Sequence, residues 1–255
     1  MRRNKIKQMW AEGRPVTLGW LGVASTQTAE AMAAQGFDAL CVDLQHGTTT
    51  LSNLLPMLQA VALTDTATVV RVAWNDPATI MKALDLGTYN VIVPMVNTAQ
   101  DAARAAAACH YPPLGMRSYG PIRPASHWGT AQPVETDGEV LLFAMVETRE
   151  GLDNLDAICA TPGVDAIYVG PSDLSFALGL PPQADNMDPR HLAACDRIRE
   201  AAHRHGKKVC MHCASAPFAA DAIRRGFDLV MLTSDTASIA AGARRQLDAL
   251  RAALA

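Results

Sequence analysis

Short apolar runs alternate along this chain with longer stretches whose apolar residues fall near helical spacing. Val16 to Trp20, Asp38 to Leu44, Thr68 to Ala73, Val91 to Pro94, Leu141 to Val146, Ala166 to Val169, Lys208 to Met211 and Leu229 to Leu232 predict strands. Helices are predicted over Thr26 to Gln35, Leu51 to Leu63, Pro77 to Leu86, Thr98 to Cys109, Gly151 to Cys159, His191 to His205, Ser215 to Arg225 and Asp235 to Leu250. Met1 to Glu12 reads as a basic, mildly amphipathic surface helix ended by Gly13 and Pro15. Eight strand and helix units predict a TIM (β/α)8 barrel, an α/β fold whose active site lies at the C-terminal ends of the strands. The alternative, a doubly wound open sheet, would want a Gly-rich nucleotide turn after the first strand, and Gly19 and Gly22 form none. No Pro/Gly/Ser-rich linker divides residues 1–255, so one barrel domain is expected.

The rhythm breaks once, over Tyr111 to Gly138, where five prolines and four glycines accompany Arg117, Arg123, His127 and Trp128. An insertion of this length suggests a lid or substrate-contacting loop, with Arg123 and Trp128 placed to select a substrate. The remaining composition narrows the class. With 49% hydrophobic and 18% charged residues and a formal charge of -3, the chain reads as a soluble globular protein with no basic tract for nucleic acid and no membrane segment. Six cysteines in apolar contexts, without a secretory signal, point to the reducing cytoplasm. Cys210 and Cys213 form a CxxC around His212, but strand alternation sends the two thiols to opposite faces, which argues against zinc or redox use. His110, His191, His203, His205 and His212 are read mostly as surface or packing residues.

Candidate chemistry gathers at predicted strand ends. Glu147 follows the strand Leu141 to Val146, and Gly170, Pro171, Ser172 and Asp173 follow Ala166 to Val169. A crossover helix between the two strands brings both carboxylates to one face, where mutual repulsion invites a hard divalent cation. In the plainer reading Glu147 caps a helix or pairs with Arg149, and Asp173 is an N-cap. The second unit ends VDLQHG, carrying Asp43, Gln45 and His46, and the third ends RVAWND, carrying Arg71. His46, Arg71, Glu147 and Asp173 at one rim would supply a proton-transfer group, a fixed cation and two oxygen ligands, a combination suited to enolate chemistry. Alternatively His46 is solvent-facing, and Arg71 is an ion-pair partner of Asp43 or Asp76. Backbone N–H groups after Gly170 could bind a carboxylate.

Six segments taken together resemble the HpcH/HpaI aldolase family, the metal-dependent 2-keto-acid aldolases related to the citrate lyase beta chain. They are VDLQHG at 42–47, RVAWND at 71–76, LDLGTYNVIVPMV at 84–96, YPPLGMRSYG at 111–120, VETREGLDNL at 146–155 and YVGPSDLSFALG at 168–179, in the family's order. The resemblance implies a barrel assembled as a homohexamer, a trimer of dimers, with the C-terminal helix exchanged between neighbours. It implies a Mg2+, Mn2+ or Co2+ ion held by Glu147 and Asp173 and bound by pyruvate or a similar 2-oxo acid. By the same resemblance Arg71 stabilises the enolate, His46 performs acid/base work, Asp43 orients the histidine, Asp85 reaches the histidine network of a neighbour, and Ser172 and Asp173 present backbone N–H groups to the substrate carboxylate. Gln45 stands where many members have glutamate, Met145 where many have glutamine, and Ser118 where glycine is common.

The expected activity is that of a class II aldolase, reversibly cleaving 4-hydroxy-2-oxo acids into pyruvate or hydroxypyruvate and an aldehyde. Alternatives are a metal-dependent decarboxylase or acyl-thioester lyase, and a non-catalytic 2-oxo acid binding protein. A Schiff-base aldolase would need a lysine at a strand end, and the central strands supply none.

Overall fold

A computed structural model describes residues 1–254. Eight parallel strands close into a barrel in sequence order: β1 Val16–Leu21, β2 Ala39–Asp43, β3 Ala67–Arg71, β4 Asn90–Val93, β5 Leu141–Val146, β6 Ala166–Val169, β7 Lys208–His212 and β8 Leu229–Ser234. Closure, through pairing of β1 with β8, rules out the open-sheet alternative. The connecting helices begin on side chains that satisfy their first N–H groups. Ser25 caps Thr26–Ala33, Asp76 caps Pro77–Asp85, and Thr98 with Asp101 forms a capping box on Ala99–Cys109.

Strand alternation divides the apolar residues into two cores. Leu40, Val42, Val70, Val91, Leu142, Val146 and Ile167 face outward and pack beneath the helices. Leu18, Cys41, Val69, Ile92, Phe143, Tyr168 and Met231 face inward and fill the barrel. Cys210 belongs to the inner core and Cys213 to the outer, as alternation requires, and all six cysteines are free and buried.

The N-terminal segment departs from its expected place. Lys5–Ala11 is helical, but its apolar stripe of Ile6, Met9 and Trp10 joins the inner core rather than lying on the surface. Trp10 stands 5.7 Å from the Phe143 ring and donates to the Asp228 carbonyl at 3.0 Å, so the helix plugs the N-terminal end of the barrel. At the other terminus, Asp235–Leu254 leaves Ile239, Leu247, Leu250 and Leu254 exposed. No helix among the described residues is long and apolar enough to cross a membrane.

The insertion also corrects an expectation. It follows a helix and precedes a strand, so it lies at the N-terminal end of the barrel, whereas the β-to-α loops rim the opposite mouth. Arg123 donates to the Leu86 carbonyl at 3.0 Å, and Trp128 donates to the Gly87 carbonyl at 3.2 Å while stacking on Tyr89 at 3.7 Å. Gly87 and Tyr89 lead into β4. Within one chain, therefore, Arg123 and Trp128 do not cover the mouth. Their polar atoms tie the insertion to the base of the barrel, and Trp128 is only 2% exposed.

Candidate active site

The inward positions one step above the apolar core are Asp43 on β2, Arg71 on β3, Glu147 after β5, Gly170 after β6 and His212 on β7. Each lies two residues beyond an inward-facing Cys41, Val69, Met145, Tyr168 or Cys210, so period-two alternation delivers all five to the same mouth.

Asp43 and Arg71 are register partners on neighbouring strands. They form a buried fork: Arg71 Nε donates to Oδ1 at 2.8 Å and Nη2 to Oδ2 at 2.6 Å. Trp20 Nε1 donates to the same carboxylate at 3.1 Å, and its ring lies 4.8 Å below the guanidinium carbon. Burial works against charge on both partners, but the paired hydrogen bonds and opposite charges outweigh it. The Asp43 carboxyl is therefore held below its ordinary range and Arg71 above its own. Removing one member of such a pair costs about 3–5 kcal/mol. Asp43 meets His46 through the backbone N–H at 3.4 Å, not through the imidazole, which stands at the exposed rim.

Glu147 is only 3% exposed and has no such partner. Oε1 accepts the Met95 N–H at 2.9 Å, and among the described residues Oε2 accepts no hydrogen bond. Met95 has a φ of 56°, the left-handed region a non-glycine residue rarely adopts. Burial first, and then the negative charge of Asp173, push the Glu147 carboxyl up to about 7, against the opposing Met95 hydrogen bond and Arg71 charge. Gly170 is required beside it: a Cβ there would overlap Glu147 Oε2 and stand 2.7 Å from Met145 Cε. Asp173 is exposed in the first turn of Pro171–Ala177. No side chain caps this short helix, and the N–H groups of Ser172 and Asp173 find no acceptor among the described residues. A cation is thus what the site's chemistry lacks, because Arg71 is committed to Asp43. Among the described residues no three His, Cys, Asp or Glu side chains converge on one point. Any cation here would take two protein carboxylates and complete its oxygen shell from substrate and water.

Beside this half of the mouth, over β7, β8, β1 and β2, opens a cavity of about 520 Å³ whose lining includes Trp20, His46, His212, Cys213, Thr233 and Ser234. His212, expected at the surface or in packing, belongs to the site, and Tyr168 beneath it is its hydrogen-bond partner. The signal was available, since alternation from inward Cys210 makes His212 inward. Gln45 leaves its Oε1 buried without a partner, and Met145 forms an apolar floor under Gly170.

The remaining predicted residue is elsewhere. Asp85 ends the helix Pro77–Asp85 at the base of the barrel, where it accepts Arg117 Nη2 at 2.8 Å.

The sequence profile of the HpcH/HpaI aldolase/citrate lyase family matches residues 17–242. A hydroxypyruvate/pyruvate aldolase of Rhizorhabdus wittichii is 41% identical over 98% of this chain and 99% of its own. A 5-keto-4-deoxy-D-glucarate aldolase of Salmonella paratyphi A is 36% identical over 97% of each. Among solved structures, an HpcH/HpaI aldolase/citrate lyase family protein from Burkholderia cenocepacia superposes with a TM-score of 0.87 at 27% identity, covering 97% of this chain and 99% of that one. The closed barrel, the carboxylates at the ends of β5 and β6 and these full-length likenesses agree: the chain belongs to the HpcH/HpaI aldolase/citrate lyase family.

Proposed function

We propose that Glu147 and Asp173 hold a divalent cation, Mg2+, Mn2+ or Co2+, at which a 2-oxo acid is gripped, and that Arg71 and His46 carry out the rest of the chemistry. The chain is a class II aldolase, a carbon-carbon lyase joining or separating pyruvate or hydroxypyruvate and an aldehyde. The observation that carries the reading is the buried Glu147, which has no hydrogen-bonded counter-charge beside the doubly bonded Asp43–Arg71 fork.

A cation held by Glu147 and Asp173 would supply polarisation of the 2-oxo group. The chain supplies the remaining work. Arg71, fixed by two bonds from Asp43 and by Trp20, presents a permanent positive charge to the oxygen that becomes negative as the carbon-carbon bond breaks. The unpartnered N–H groups of Ser172 and Asp173 are placed for the substrate carboxylate. His46, exposed at the rim, takes the proton from the 4-hydroxyl in cleavage and returns it in synthesis. No lysine competes: Lys208 is bonded to Asp228 at the base of β7, and Lys82 lies on an outer helix, which favours this route over a Schiff base.

The unit is one barrel domain in a reducing cytoplasm, a reading that six free buried thiols support. Ile239, Leu247, Leu250 and Leu254, more than half exposed on the last helix, fit a helix exchanged within a homohexamer. Asp85, far from its own chain's mouth, fits a role at a neighbour's site.

The test is incubation with divalent metal, pyruvate or hydroxypyruvate and a panel of aldehydes. Carbon-carbon bonded adducts that disappear with a chelator are expected. Absence of adduct with every pair overturns the reading.

A further inference from the structure

His212 ends β7, next to the β6 end that leads into Asp173, and lines the cavity that opens over β7, β8, β1 and β2. Its Nδ1 is 3.1 Å from the Tyr168 hydroxyl, and its ring meets Trp20 edge-on, 4.8 Å between centroids at 80°. Tyr168 is fully buried in the inner core, and burial pushes its phenol well above the ordinary range, so it keeps its proton. Among the described residues that hydroxyl has one hydrogen-bond partner, His212 Nδ1. The phenol therefore donates, Nδ1 accepts, and the ring proton is left on Nε2. Nε2 makes no hydrogen bond to any described residue, while the imidazole lines the cavity of about 520 Å³. Burial, followed by the Arg71 charge, lowers the imidazole to about 4 against the opposing pull of Asp43, so at neutral pH the ring is an uncharged donor.

This inference accepts the aldolase reading above. With the 2-oxo acid held at the β5 and β6 ends, the other fragment extends over β7, β8, β1 and β2. That cavity mixes the apolar Trp20 and Met231 with the hydroxyls of Thr48, Thr233 and Ser234. A neutral, orientation-locked N–H suits a hydroxyl oxygen; a cationic ring would instead have favoured a carboxylate. We propose that His212, held by Tyr168, donates from Nε2 to a hydroxyl oxygen of the aldehyde fragment, so that the enzyme selects short hydroxyaldehydes over alkyl aldehydes of the same length.

Glycolaldehyde and propanal have equal numbers of heavy atoms and differ in that hydroxyl. With metal-loaded enzyme and pyruvate, His212→Leu should lower kcat/KM for glycolaldehyde by about tenfold or more, and for propanal by less than about twofold. His212→Gln, which returns an N–H near the Nε2 position, should recover most of the glycolaldehyde activity. Equal losses on both aldehydes, no loss on either, or failure of the glutamine variant to recover would overturn the proposal. A second reading needs neither metal nor turnover. Long-range 1H–15N spectra, assigned with His212→Leu, should show the Nε2–H tautomer in wild type and its weakening in Tyr168→Phe; an Nδ1–H tautomer would overturn the donor assignment. The aldolase reading fails separately, through loss of every adduct and of metal-dependent deuterium exchange into pyruvate by the wild type. Normal exchange and condensation with an unchanged glycolaldehyde-to-propanal ratio sinks only the role of His212.

Discussion

The two ends of the barrel are made from similar residues and behave differently. At the base, buried Trp128, Asn4 and Glu139 and half-buried Arg123 and Lys208 are matched: Asn4 alone bridges Asn90 Oδ1 at 2.7 Å and the Glu139 carbonyl at 2.8 Å, although Arg117 Nε and Nη1, His110 Nδ1 and Asp137 Oδ1 make no hydrogen bond among the described residues. At the mouth, Glu147 Oε2, His212 Nε2 and the N–H groups of Ser172 and Asp173 lack partners among the described residues. Matched groups hold the fold together, whereas open groups gathered around one cavity mark where a ligand can come, because a polar group left dry costs free energy that a ligand can recover.

The largest effect should separate the ends outright. Glu147→Gln keeps the side-chain volume and removes the anionic ligand, and metal affinity measured by calorimetry should fall by more than about 100-fold while the circular dichroism spectrum is retained. Near-normal affinity would erase the distinction drawn for the mouth. Trp128→Ala should do the reverse. It removes a 2%-exposed ring stacked on Tyr89, and chemical denaturation should report a loss of about 3–5 kcal/mol with the ranking of aldehydes unchanged. An altered ranking with intact stability would restore the insertion as a selectivity element.

The smallest effect sharpens the comparison at the base. Burial, then Arg123 and Arg2, depress the His127 imidazole to about 4 from an ordinary 6.5. A depressed folded value means that stability is fully present above about pH 6.5 and is lost as pH falls toward 4, since the unfolded chain takes up the proton first. Denaturation midpoints followed from pH 7 to pH 4 should fall more steeply in wild type than in His127→Gln. Parallel curves would mean that the base of the barrel does not hold this ring neutral.

Sequence alone determined the strands, their number and the inward placement of Asp43, Arg71 and Glu147, because a period of two is a local property that every neighbouring residue reports. It also carried the family likeness through ordered motifs. The position of the insertion was legible in principle: a segment after a helix returns to the base of a β/α barrel. The stripe of Ile6, Met9 and Trp10 was visible as well, but a helix's periodicity does not say what covers it, and only closure of the barrel decided that it is a plug. Tertiary structure alone decided which charges are matched. Asp43 and Arg71 are 28 residues apart in sequence yet share two hydrogen bonds, while Glu147 and His212 each keep an atom free, because pairing depends on the register of neighbouring strands and the closure of the sheet rather than on local pattern.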